Sequence, residues 1–165
     1  MKTIILSGYS PRNKEWAEDV KKNLDLEHPV LVHEWEHWKG GAMSVKRELE
    51  RIIQEAGSED LNIIAKSVGT RVAMQFILRK TNKVEKIILC GIPTVSGENA
   101  ELFRRALENF PSKNIAVFQN EKDPFATYGE VKEFMDKVNP EIVVVKKPAS
   151  SHDYPYFPDF SSFLK

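Results

Sequence analysis

The chain has 165 residues, of which 41% are hydrophobic, and its 24 basic and 24 acidic residues give a formal net charge of +0. This length favours one domain over residues 1–165, and a balanced charge without long basic runs argues against a nucleic-acid partner. No apolar run approaches the ~18 residues that span a bilayer, so we expect no membrane partner and a cytoplasmic location. Cys90 is the one cysteine, which excludes an internal disulfide framework.

Short apolar runs and amphipathic segments alternate along the chain. Strands are predicted at residues 3–7, 29–34, 61–65, 84–90, 114–119 and 141–145. Helices are predicted at residues 13–24, 44–56, 99–109, 128–138 and 159–164, with a further helix that follows the third strand and ends at about residue 80. Such alternation predicts an α/β fold: a three-layer sandwich in which helices cover both faces of a mostly parallel sheet.

In open parallel sheets, ligands bind at the carboxyl ends of the strands. Ser67 follows the third predicted strand, Asp123 the fifth and His152 the sixth. The segment around Ser67 reads Ala65-Lys66-Ser67-Val68-Gly69, close to the G-x-S-x-G pattern that holds a nucleophile at a tight strand-to-helix corner. Alanine replaces the first glycine, but it is small enough for the close approach of strand and helix.

These residue types suit acyl transfer. A serine hydroxyl needs an imidazole to take its proton, and the imidazole needs a carboxylate to fix its tautomer. We therefore predict Ser67 as nucleophile, His152 as base and Asp123 as acid, with Asp153 and Glu121 as competing acids. The developing oxyanion needs N–H donors, for which we predict Val68 and a residue of the loop after the first strand.

Within that loop Tyr9 is the favoured second donor and Ser10 the less favoured one. Gly8, which precedes them, lets the backbone come close to the substrate.

Three segments carry a resemblance to a known family: residues 63–70, 120–125 and 151–154. They resemble a small α/β-hydrolase of the serine-esterase type without a lid. The resemblance implies about six strands in the order 2-1-3-4-5-6, and it assigns nucleophile, acid and base to Ser67, Asp123 and His152. Between Cys90 and the fifth strand there is room for one loop and one helix, so we expect an open active site.

Side chains near these loops are predicted to form the substrate pocket. The predicted substrate-binding residues are Ser10, Ile92, Phe125 and Trp38, and further wall candidates are Tyr9, Trp35 and Pro93. Lys66, next to the nucleophile, would favour an anionic substrate if its side chain faced the pocket.

A second motif, His33-Glu34-Trp35-Glu36-His37, matches the zinc-protease pattern H-E-x-x-H. That motif works on a helix, where both histidines share one face. Here it follows a strand-like run, and on a strand residues four apart are ~13 Å apart, too far to share one ion. We therefore predict no metal and no cofactor.

The sequence thus favours a serine hydrolase that acts on carboxylic esters or related small acyl substrates through an acyl-enzyme. Thioesterase, amidase and acyltransferase activities are left open, as is the oligomeric state. The alternative is a non-catalytic relative whose pocket binds a small molecule or a partner.

Overall fold

A six-stranded parallel sheet with the strand order β2-β1-β3-β4-β5-β6 forms the centre of the computed structural model, which describes residues 1–79 and 83–165. The strands are β1 (Lys2–Leu6), β2 (Val30–Val32), β3 (Leu61–Lys66), β4 (Val84–Cys90), β5 (Ile115–Asn120) and β6 (Val143–Lys147). The helices are α1 (Asn13–Asn23), α2 (Val45–Ala56), α3 (Val68–Arg79), α4 (Gly97–Leu107), α5 (Tyr128–Val138) and α6 (Phe157–Leu164). Short 3-10 helices lie at Glu36–Lys39 and Ser112–Asn114.

The α/β class, the parallel sheet and its strand order confirm the sequence prediction, while several boundaries differ. The edge strand β2 is shorter than predicted, ending at Val32 rather than at residue 34. The strand β6 starts two residues later than predicted because a turn at Asn139 accepts hydrogen bonds from the next residues. The predicted end of the third helix, at residue 80, lies outside the described residues.

Strand side chains alternate between two apolar layers, as the pleat requires. Ile63 and Ala65 of β3 face α2 to α5, and Ile64 faces α1 and α6. By the same alternation, Lys66 shares the face of Ile64 and α1. This places a lysine inside the sheet layer at the end of the strand that carries the predicted nucleophile.

Local signals in the sequence begin the helices that surround the site. Thr127 and Glu130 form a capping box at α5: each backbone N–H donates to the other side chain, at 2.8 Å and 3.3 Å. Ser96 accepts from Asn99 N–H at 3.2 Å and starts α4 two residues before its predicted beginning. Among the described residues, no helix combines the length and apolarity needed to cross a bilayer.

The H-E-x-x-H segment forms no α-helix, since its first residues follow β2 and its last lie in a 3-10 helix. His33 is fully buried, and its ring nitrogens contact Glu55 at 2.7 Å and Glu48 at 2.9 Å. Glu48 also accepts from the Glu36 N–H at 2.7 Å and from Arg51 at 2.8 Å. The motif therefore belongs to a buried network that fixes the segment after β2 against α2.

Glu48→Ala should destabilise the protein by about 3 kcal/mol, because it leaves three buried or half-buried donors without their acceptor. The free energy of unfolding in urea measures the effect. Glu50→Ala, an exposed glutamate on the same helix, is the matched control and should change it by less than about 0.5 kcal/mol. Equal effects of the two substitutions would contradict a structural role for the network.

Candidate active site

Ser67 occupies the corner between β3 and α3 in a strained backbone conformation. Its φ is 56°, and it is the one non-glycine residue with positive φ in the described chain. Such a conformation costs about 1–3 kcal/mol and persists where neighbouring structure enforces it. Here the Ser67 N–H donates to Cys90 O at 3.0 Å, and Ser67 O accepts from the N–H and hydroxyl of Thr70. The corner therefore presents the Ser67 side chain beyond the sheet edge.

Gly69 allows the start of α3 to press against the end of β1. A Cβ at this position would lie 2.1 Å from the carbonyl oxygen of Leu6, closer than any real contact. This approach brings the first amides of α3 beside the loop that follows β1. The N–H groups of Val68 and Tyr9, the two predicted oxyanion donors, donate no hydrogen bond within the described residues.

Three ring N–H groups hold the loop that carries Tyr9. The Tyr9 carbonyl accepts from His37 Nε2 at 2.7 Å and from Trp38 Nε1 at 2.9 Å. Trp35 Nε1 donates to Ser7 O at 3.1 Å on the same loop. The segment after β2 therefore fixes the backbone from which the second oxyanion donor would act.

His152 and Asp123 are in direct contact. His152 Nδ1 lies 2.6 Å from Asp123 Oδ2, and the Asp123 side chain is fully buried. Neither of the other two candidate acids holds the ring: Glu121 pairs with Lys146 at 2.8 Å, and Asp153 has an exposed side chain. Of the three carboxylates, Asp123 is the one in place to orient the imidazole.

Hydrogen bonds keep Asp123 ionised in spite of its burial. Burial alone would raise the pKa of its carboxyl group, but donors from His152, the Tyr154 hydroxyl and the Phe125 N–H outweigh that effect and lower it. The Tyr154 hydroxyl lies 2.6 Å from Oδ2, and the Phe125 N–H lies 2.9 Å from Oδ1. A negative charge is therefore held behind the imidazole.

His152 Nε2 is buried and has no hydrogen-bond partner among the described residues. The ring and Ser67 border the same cavity of about 540 Å³, although no hydrogen bond joins the Ser67 hydroxyl to His152 within the described chain. Catalytic hydrogen bonds are often long in unliganded sites and tighten when substrate binds.

The cavity contains some of the predicted substrate-binding residues and lacks others. Its lining residues are Tyr9, Ser10, Arg12, Asn13, Trp16, Lys66, Ser67, Phe125, His152 and Asp153. Four predicted pocket residues do not line it: Ile92, Trp38, Trp35 and Pro93. Ile92 and Trp35 are fully buried: the Ile92 N–H donates to Gln119 Oε1, and Trp35 Nε1 donates to Ser7 O. Trp38 donates to the Tyr9 carbonyl, and Pro93 is half-buried after β4.

Sequence reasoning missed the residues that hold the base and acid loops together. Asn120, fully buried, donates to Ser151 O at 2.9 Å and to Asp153 O at 2.7 Å, so it clamps the loop on both sides of His152. Gly91 leaves room for that loop, since a Cβ there would lie 2.9 Å from His152 Cε1. The position of Asn120 directly after the strand predicted at residues 114–119 was the available signal.

No metal site accompanies these residues in the part of the chain that is described: no three histidine, cysteine, aspartate or glutamate side chains are arranged to hold an ion there.

Comparison with known proteins agrees with the fold. A family described as "Alpha/beta hydrolase domain" matches residues 17–157. The chain belongs to the α/β-hydrolase domain family. Among curated proteins no match is found.

Several solved structures share the fold of this α/β-hydrolase domain. The ydeN gene product from B. subtilis is 16% identical, with a TM-score of 0.64 over 99% of this chain and 98% of that one. Est1E from Butyrivibrio proteoclasticus is 12% identical, with a TM-score of 0.71 over 99% and 87% of the two chains. The Pyrococcus furiosus esterase Pf2001 is 16% identical, with a TM-score of 0.66 over 99% and 81%.

Gly69→Ala should destabilise the α/β-hydrolase domain by about 3 kcal/mol, because the added methyl group cannot fit against the Leu6 carbonyl without moving α3 away from β1. Urea unfolding measures the change. Gly97→Ala is the matched control: it also changes a glycine in the first turn of a helix, but the added Cβ meets open space. If Gly69→Ala proved as stable as Gly97→Ala, the close approach of α3 to β1 at Gly69 would be refuted.

Tyr154→Phe should lower the free energy of unfolding by about 2 kcal/mol at pH 7, since it removes a donor to an ionised carboxylate. The lowered pKa of Asp123 stabilises the fold above the ordinary aspartate pKa, and this stabilisation is lost as pH falls through the lowered value. The difference in free energy of unfolding between Tyr154→Phe and the parent should therefore become smaller below about pH 3.9.

Tyr156→Phe is the control for this experiment. Its hydroxyl donates to the Asn120 amide oxygen rather than to a carboxylate, so its effect on unfolding should not depend on pH in this range. A Tyr154→Phe effect that stays constant from pH 7 to acid would contradict the role given to this hydroxyl.

Proposed function

We propose that the chain is a serine hydrolase that cleaves carboxylic esters or related small acyl substrates through a Ser67–Asp123–His152 triad. The observation that supports it most is the 2.6 Å contact between Asp123 and His152, on the cavity that Ser67 also borders. Membership of the α/β-hydrolase domain family supports a hydrolase. One structural relative is named an esterase, and the Est1E structure has ferulic acid bound.

In the acylation step, Ser67 Oγ attacks the substrate carbonyl carbon while its proton passes to His152 Nε2. Nε2 suits this role because Nδ1 is engaged by Asp123, which fixes the tautomer and stabilises the imidazolium that forms. The hydroxyl has to turn toward Nε2 when substrate fills the cavity. His152 then returns the proton to the leaving alkoxide, the ester C–O bond breaks, and an acyl-enzyme remains.

The carbonyl oxygen becomes negatively charged during the attack. The N–H groups of Val68 and Tyr9 are the donors we assign to it, since neither has another acceptor in the described chain. Donors of this kind typically contribute about 3 kcal/mol each to lowering the barrier. The start of α3 adds its positive dipole end at the same place.

In the deacylation step, a water molecule gives a proton to His152 Nε2 and attacks the acyl carbon. The Ser67–acyl bond breaks, Ser67 Oγ regains the proton, and the carboxylic acid leaves.

Substrates with short acyl groups suit this cavity. Phe125 is 65% exposed and Tyr9 53% exposed at its wall, and between β4 and β5, where a lid domain would be inserted, α4 is the one α-helix. Residues 91–114 are all described, so this segment contains no lid. A cavity of about 540 Å³ that opens to solvent encloses a short chain better than a long one.

A fluorophosphonate should modify Ser67, because the reagent traps a serine whose proton a neighbouring imidazole accepts. Mass spectrometry of the intact protein and its peptides measures the adduct. Ser67→Ala should abolish labelling, and His152→Ala should slow it by at least about 100-fold.

Ser58→Ala is the control, since Ser58 is an exposed serine that does not line the cavity. It should label at the parent rate. Labelling that survives Ser67→Ala, or no labelling of the parent protein, would overturn the proposed nucleophile and favour a non-catalytic relative.

A further inference from the structure

A buried lysine borders the cavity beside the nucleophile. Lys66 is 3% exposed, and its ammonium group donates to Asn13 Oδ1 at 2.9 Å and lies 5.1 Å from the centre of the Trp16 ring. Lys66, Asn13 and Trp16 all line the cavity that contains Ser67. A cation is therefore held next to the place where the substrate would be attacked.

This ammonium group lacks a charged partner. In the described chain no carboxylate lies within 4.0 Å of it, and its hydrogen-bond acceptor is a neutral amide. Cys90 beneath it is an uncharged thiol, because burial raises its pKa. An ammonium group has three donors, so two are left for a ligand.

Burying an unpaired cation costs free energy, which an ion-paired ligand would offset. Burial lowers the pKa of Lys66, and the charge of Asp153 acts against this from a greater distance. An apolar residue would fill the same space without that cost. The position therefore favours a role in binding over a role in packing.

The wall of the cavity carries a second cation. Arg12 is exposed and lines the same cavity, where Asp153 is the one carboxylate of the lining, while Asp123 is engaged by His152. The lining therefore holds two cations and one carboxylate, and the ionised Asp123 lies behind the imidazole of His152 rather than on the lining. An anionic group is the matching ligand.

We propose that Lys66 binds a carboxylate carried by the substrate, so that the enzyme prefers anionic acyl compounds to neutral ones of the same size. This inference rests on the proposed function, since it places the substrate in the cavity beside Ser67. The Lys66 ammonium donates to the carboxylate, Asn13 keeps the ammonium in place, and Arg12 adds charge at the rim.

Matched ester pairs that differ only in charge test the proposal. In one pair the carboxylate, or the neutral amide that replaces it, is on the acyl side: mono-para-nitrophenyl adipate and the same ester with its free carboxylate converted to an amide. In the other pair the carboxylate or amide is on the leaving group: para-carboxyphenyl acetate and para-carbamoylphenyl acetate. The parent enzyme should prefer the carboxylate in at least one pair by about 10- to 100-fold in kcat/KM, as expected for a hydrogen bond between charged groups.

Lys66→Met should reduce that ratio of kcat/KM values to within about 2-fold of unity, while Lys22→Met, an exposed lysine on α1, should leave it at the parent value. The free energy of unfolding of Lys66→Met should be at least that of the parent, because the substitution removes an unpaired buried charge. If Lys66→Met fails to fold, Lys66→Gln replaces it. A ratio that is the same with and without Lys66 overturns the proposal.

A binding measurement separates failure of this inference from failure of the proposed function. Calorimetry compares adipic acid monoamide with adipamide on Ser67→Ala, with and without Lys66→Met. If the carboxylate compound binds more tightly, and this preference is lost in Lys66→Met, the proposed carboxylate site at Lys66 is supported even if Ser67 proves unreactive. Equal binding of the two compounds overturns the proposed carboxylate site at Lys66, even if fluorophosphonate labels Ser67.

Discussion

The strained corner at Ser67 is the constraint on which the rest of the site depends. A serine held at φ 56° is stable only because β4 and Thr70 bind its backbone and because Gly69 lets α3 rest on β1. The same approach brings the amide of Val68 next to the loop of Tyr9. One close backbone contact thus positions the hydroxyl and both proposed oxyanion donors.

The loops that complete the site depend on buried polar contacts rather than on apolar packing. Asn120 clamps the segment around His152, and Tyr154 holds Asp123 from below. On the other side, His37 and Trp38 bind the Tyr9 carbonyl. The segments that they hold, around Tyr9 and His152, are loops, where helix or strand hydrogen bonds do not fix the geometry. Their hydrogen bonds supply the rigidity that the proposed proton transfer needs.

Much of this arrangement could be predicted from the sequence because the patterns that predict it lie within short segments of the chain. Alternating apolar runs predicted the parallel sheet, the family resemblance implied its strand order, and the small residues around Ser67 predicted the corner. The contacts of Trp38, the burial of Ile92 and the pocket position of Lys66 could not be predicted in this way. Each depends on how distant loops pack together, and neither spacing nor periodicity carries that information.

The most direct measurement is a crystal structure of the protein after reaction with a small fluorophosphonate. The account predicts a covalent bond from phosphorus to Ser67 Oγ, with the phosphoryl oxygen within hydrogen-bond distance of the N–H groups of Val68 and Tyr9. His152 Nε2 should face the adduct while Nδ1 keeps its contact with Asp123. An adduct on another residue, or an imidazole turned away from Ser67, would contradict the account.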